Sequence, residues 1–152
     1  MSQVFGGEPH STAPDGSCDV WFTDPPGLMV VMRPGARLTE AAAGWLSGPV
    51  YDAMDARFPG AAFCFFQDFG PSIGYETAAR NRMNAWAASV GRDRITHVGI
   101  IVAPQAPMLI RLGASMATLA VSMLGVRARV YESRVEALAA HPIAPLADPP
   151  RL

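Results

Sequence analysis

Apolar positions along this chain group into runs whose spacing predicts alternating strands and helices. In residues 61–67, AAFCFFQ, all but Gln67 are apolar. Apolar residues on both parities predict a strand buried on both faces, in the middle of a sheet. Residues 68–74, DFGPSIG, carry two Gly and one Pro and predict a turn. A helix over 75–90 follows, with Ala79, Met83, Trp86 and Val90 on its buried stripe and Gly91 as its stop.

The rest of the chain falls on either side of this unit. Residues 19–23 and 28–32 read as strands joined by Asp24-Pro-Pro-Gly27, a hairpin. From 38 to 58, Ala42, Leu46, Val50, Met54 and Phe58 recur every four residues on one helical stripe. Gly48-Pro49 interrupts it and predicts a kink or two successive helices. A strand over 95–103 is again apolar on both faces. A helix over 108–124 follows, with Leu109, Leu112, Met116, Leu119 and Met123 as its core stripe, and then an edge-like strand over 127–131. A short helix over 133–140, capped by Ser133, comes last. The order β-β-α-β-α-β-α-β-α predicts an α/β domain over 19–140 with a mainly parallel sheet. Right-handed crossovers would put its helices on one face. Residues 1–18 lack periodicity and read as a mobile tail, and 141–152 as a Pro-rich one.

Composition narrows the function classes. The 152 residues are 50% hydrophobic and only 16% charged, so apolar surface for a partner is expected. A net charge of −1 leaves no electrostatic footprint for nucleic acid. All 12 basic residues are Arg, which reads as the codon usage of a GC-rich genome. Two cysteines, Cys18 and Cys64, make no disulfide framework. The N-terminal residues do not form a signal peptide. The apolar run 112–126, between Arg111 and Arg127, is shorter than the roughly 20 residues of a membrane span. The expectation is a soluble, cytoplasmic protein without an integral membrane segment.

The stretch from Phe65 to Arg80, FFQDFGPSIGYETAAR, with Trp86 beyond it, resembles the STAS superfamily, the fold of bacterial anti-sigma-factor antagonists. More closely it resembles a branch of uncharacterised bacterial STAS-like proteins that is compared with CRAL-TRIO lipid-transfer domains. There a strand ending in Asp leads into a Tyr-Glu-x-Ala-Ala-Arg helix. The resemblance implies a STAS-like fold and a non-enzymatic regulatory or protein-interaction role, or else binding of a small apolar or lipid-like ligand. In antagonists the loop reads Asp-Ser-Ser-Gly and its first Ser is phosphorylated. Ser72 and Gly74 match that pattern, while Pro71 and Ile73 depart from it, so Ser72 is only a weak phosphorylation candidate.

The chemistry-bearing residues are few. His10, His97 and His141 lack a ligand spacing, so neither a metal nor another cofactor is expected. Asp68 stands at the carboxyl end of the central strand, where open α/β sheets place ligands, or else makes an Asx turn to Gly70. Ser72 lacks a Gly-x-Ser-x-Gly elbow and is not expected to be catalytic. Together with Ser72 and Asp68, residues Tyr75, Glu76 and Arg80 form the candidate partner or ligand site. The bland alternative for Glu76 and Arg80 is an exposed i,i+4 ion pair. The helix over 108–124 is apolar beyond its stripe. Its small outer residues Ala114, Ala117 and Val121 are the candidate face for a homodimer or another protein partner, unless the helix is simply buried. An enzyme of unrecognised type is the remaining alternative.

Overall fold

Phe63–Asp68 forms β5, buried at every position, in the centre of the main sheet. The structure, a computed structural model, describes residues 5–70 and 72–152. The first four residues of the expected tail and Pro71 of the loop lie outside the described residues. The remaining elements are strands β1 (Ser11–Thr12), β2 (Cys18–Asp24), β3 (Gly27–Met32), β4 (Arg37–Leu38), β6 (Gly74–Tyr75), β7 (Ile95–Ile101), β8 (Ala128–Tyr131) and β9 (Ala144–Pro145). The helices are α1 (Glu40–Trp45), α2 (Tyr51–Arg57), α3 (Thr77–Val90), α4 (Met108–Met123) and α5 (Arg134–Ala140). The sheet runs β1-β2-β3-β5-β7-β8, with β9 also on β2. The β2–β3 pair is the antiparallel hairpin, and β3, β5, β7 and β8 are parallel. This is the mainly parallel α/β arrangement that the order of patterns predicts.

Because side chains alternate along a strand, β5 feeds two cores. Phe63 and Phe65 join Leu28, Val30, Val98 and Ile100 beneath α1 to α4. Phe66 and Cys64 join Trp21, Met29, Ile101 and Tyr131 on the other face. Ala137 and Leu138 of α5 pack into that second cluster. The helices are therefore not all on one face, as simple crossovers predict. The last one crosses over, because the second face of β5 is as apolar as the first and also needs cover.

Gly48-Pro49 does not break its helix. Leu46–Val50 is a π-helical turn joining α1 to α2, and Leu46, Val50 and Met54 stay buried on one stripe. The wider turn carries Pro49, which has no N–H to donate, without ending the helix. The two-residue strands β4 and β6, which pair with each other in parallel, are too short to leave any periodicity in the sequence.

The described parts of both terminal segments are docked, where the composition predicts tails. Phe5 is buried, edge-on to Trp21. The His10 backbone N–H donates to the Val20 carbonyl at 3.0 Å, and the Phe22 N–H donates to His10 Nδ1 at 2.9 Å. At the other end β9 pairs with Thr23 and Asp24, and the Leu146 N–H donates to the Phe22 carbonyl. A few well-placed apolar and polar groups suffice where composition averaged over the segment suggests none.

Trp86 of α3 is the centre of the first core. Its ring lies 5.6 Å from Tyr51, 5.5 Å from Phe65 and 6.1 Å from Phe63. Trp86→Ala is expected to destabilise the fold by about 3–5 kcal/mol in urea unfolding, through lost burial and the cavity left behind. A variant of normal stability would contradict this packing.

On the opposite face His97 hydrogen-bonds the Tyr131 hydroxyl at 2.9 Å and stacks on His141 at 3.9 Å. Burial pushes its imidazole pKa down to about 4, and His141, Arg127 and Arg129 act in the same direction. Unfolded, the ring titrates near 6.5. The unfolded chain therefore binds more protons in this window, so the stabilisation is complete above pH 6.5 and is lost as pH falls towards 4. Burial of His10 acts in the same sense. Stability should drop by about 2 kcal/mol between neutral pH and pH 4.5. His97→Gln should flatten that dependence, and an unchanged slope would place the titration elsewhere.

Candidate functional site

Asp68 ends β5 with both carboxylate oxygens engaged. Oδ1 accepts from the Gly70 N–H at 2.8 Å, an Asx turn. Oδ2 takes Arg134 Nη2 at 2.9 Å and Nε at 3.0 Å. Arg134 also donates to the Phe5 carbonyl. One carboxylate thus ties the end of the central strand to α5 and to the N-terminal segment, and the pair is largely buried.

The other loop residues also face inward. The Ser72 N–H donates to the Phe69 carbonyl at 2.8 Å, and its side chain is buried with Oγ lacking a partner among the described residues. Tyr75 sits beneath α4, its ring packed so closely on Gly113 that a Cβ there would collide with the hydroxyl. The Arg80 guanidinium lies over the Tyr75 ring at 5.7 Å. Glu76 Oε1 accepts from the Glu40 N–H at 2.9 Å, at the start of α1, and no ion pair joins it to Arg80 among the described residues. Tyr75 and Arg80 line a cavity beneath α4, whereas Asp68, Ser72 and Glu76 do not, so the five loop–helix candidates do not converge on one site. They hold the loop, α1, α4 and α5 in place.

The largest departure from the sequence pattern is the orientation of α4. The core stripe expected at Leu109, Leu112, Met116, Leu119 and Met123 faces outward, and each of these side chains is more than half exposed. Ala114 and Val121, expected on the outer face, are buried, and Ala117 packs against the same core. Their candidate role as an outer association face is thus contradicted by their burial. The physical reason is close approach. With Gly113 seated on Tyr75, α4 approaches the sheet closely, and Ile110, Ala114, Ala117 and Val121 fill the inward side. Both faces of α4 are apolar, so periodicity alone could not decide which would turn inward. Size was the missed signal: apart from Ile110, the inward side carries smaller residues than the outward one.

Between α3, α4 and the sheet this packing leaves a cavity of about 70 Å³ lined by Phe65, Gln67, Trp86, Ala114, Ala117 and Val121. Trp86 Nε1 has no partner among the described residues. Outside, the exposed face comprises Met108, Leu109, Leu112, Met116, Leu119 and Met123, with Leu124 just beyond the helix end.

The remaining reactive groups are withdrawn from solvent. Burial pushes the thiol pKa of Cys18 up to about 12 and that of Cys64 up to about 11, which keeps both protonated and poor nucleophiles. No group of three or more His, Cys, Asp or Glu side chains is placed to hold a metal ion among the described residues. No helix among them is long and apolar enough to cross a membrane.

No protein-family model matches this chain. No curated protein matches it either. Among solved structures, it is similar to an uncharacterised protein of the DUF3478 family with a SpoIIAA-like fold, from Shewanella loihica PV-4. The identity is 14%, the match covers 81% of this chain and 90% of that one, and the TM-score is 0.57. At that identity the likeness concerns architecture alone. The chain has the SpoIIAA-like, or STAS-like, fold that its motif and element order resemble.

Proposed function

We propose that the chain is a non-enzymatic regulatory or protein-interaction module of STAS type, docking a protein through the outer face of α4. The observation that carries this reading is the row of large apolar side chains that α4 turns to solvent. Leaving them in water costs about 25 cal/mol per Å² relative to covering them. A contiguous apolar patch of this kind commonly marks an interaction surface. The loop residues Asp68, Ser72, Tyr75, Glu76 and Arg80 serve in this reading as the frame that positions α4, rather than as the contact itself. Ser72 is a poor phosphorylation switch, since its hydroxyl is buried. The free buried thiols Cys18 and Cys64 fit a cytoplasmic setting.

A second reading, a small apolar ligand beneath α4, is favoured by the apolar lining of the cavity there. Its volume of about 70 Å³ weighs against it. That space suits one or two water-sized groups, whereas ligand pockets run to roughly 300 Å³ or more.

The reading is tested by native purification of the tagged chain from cells that encode it. A stoichiometric protein companion is expected, lost in the double variant Leu112→Glu, Leu119→Glu and retained in Ser72→Ala. A chain recovered as a monomer, with neither a second copy nor another protein bound, or a companion indifferent to the α4 changes, would sink the proposal. Ser72→Asp is expected to lower stability by about 2–4 kcal/mol in urea unfolding, because it buries a charge without a partner. A Ser72→Asp protein of normal stability would restore phosphorylation as a switch.

A further inference from the structure

We infer that the outer face of α4 is a self-association surface, on which two copies of the chain pack α4 against α4, antiparallel, about a two-fold axis beside Met116; this rests on the interaction reading above and adds its occupant. Leu109, Leu112, Met116, Leu119 and Met123 recur at spacings of three and four residues in alternation. That is the a/d pattern with which one helix meets another as a narrow seam. A single helix packed on a sheet does not require it, and here the sheet takes the other side of α4.

The area suits a second copy. These side chains, with Met108 and Leu124, are 40% to 81% exposed and offer on the order of 800 Å² for burial, comparable to one partner's share of a standard interface. The polar groups also suit burial. Ser115 and Ser122 flank the seam, and each hydroxyl already donates to a carbonyl of its own helix, to Arg111 at 3.2 Å and to Thr118 at 2.7 Å. Covering them would leave neither donor without a partner.

Charge sets the direction. Arg111 is the one charged residue in α4, near its N-terminus. A parallel pair would bring two Arg111 side chains and two helix N-termini together. In the antiparallel pair each Arg111 lies towards the last turn of the other helix, where unpaired carbonyls favour a cation. Met116 then meets its own copy across the axis, and Leu109 meets the second copy's Met123.

Sedimentation velocity and disulfide trapping of the purified full chain test this. At about 10 μM the chain should sediment as a dimer, and Leu112→Glu or Leu119→Glu should raise the dissociation constant at least about a hundredfold. Both positions face outward, so circular dichroism should stay unchanged. Oxidation should link Met116→Cys to itself and Leu109→Cys to Met123→Cys, but should not link Leu109→Cys to itself. A monomer at about 100 μM, a dimer indifferent to the glutamates, or self-linking of Leu109→Cys would overturn the antiparallel pair. A monomer that co-purifies with a different protein through α4 would overturn self-association and leave the interaction reading standing. A monomer that instead sediments with phosphatidylglycerol vesicles through the same face would overturn both.

Discussion

A strand that is apolar on both faces can be stable only inside two cores, and β5 imposes this requirement on the whole molecule. One face, through Phe63 and Phe65, takes α1 to α4 as its cover. The other, through Cys64 and Phe66, recruits α5 and the buried Phe5. The Asp68–Arg134 ion pair belongs to the same constraint. It fastens the cover of the second face to the end of the strand, at a place where an unpaired carboxylate would be costly. A residue that looks like a ligand contact at the mouth of an open sheet is here a clasp between layers.

The architecture was readable because it rests on long periodic signals. The hairpin, the two doubly apolar strands and the order of strands and helices all appear in the pattern of apolar positions, and the motif around Asp68 and Tyr75 points to the same fold. What escaped was the decision between two equivalent faces. On α4 both stripes are apolar, and burial went to Ile110, Gly113, Ala114 and Val121 rather than to the leucines. The polar residues of α4, Arg111, Ser115, Thr118 and Ser122, form one stripe with an apolar flank on either side. Periodicity therefore leaves the choice of flank open; the inward flank is the one whose Gly113 packs on Tyr75. The terminal segments escaped for a related reason. Single residues such as Phe5 and His10 anchor them, and a compositional reading averages those residues away.

The candidate site shows the same division. That the loop after β5 would be crowded with polar and aromatic groups was evident from its residues. That those groups would be consumed internally was not, because their partners are distant in sequence: Arg134 for Asp68, Glu40 for Glu76 and Gly113 for Tyr75. The large apolar side chains of α4 lie instead on the side turned away from the sheet, exposed to solvent.

The pairing of β9 with β2 bears on how the protein emerges from the ribosome. Thr23 and Asp24 of β2 find their partners in Ala144 and Pro145, near the opposite end of the chain. While a nascent chain is still short of those residues, this end of β2 presents unpaired backbone groups of the kind that template aggregation. β1 follows the same edge further along, at Asp19 and Val20, and is made before β2 itself, so part of that edge is closed early. The rest of that edge acquires its backbone partner only once β9 has been made.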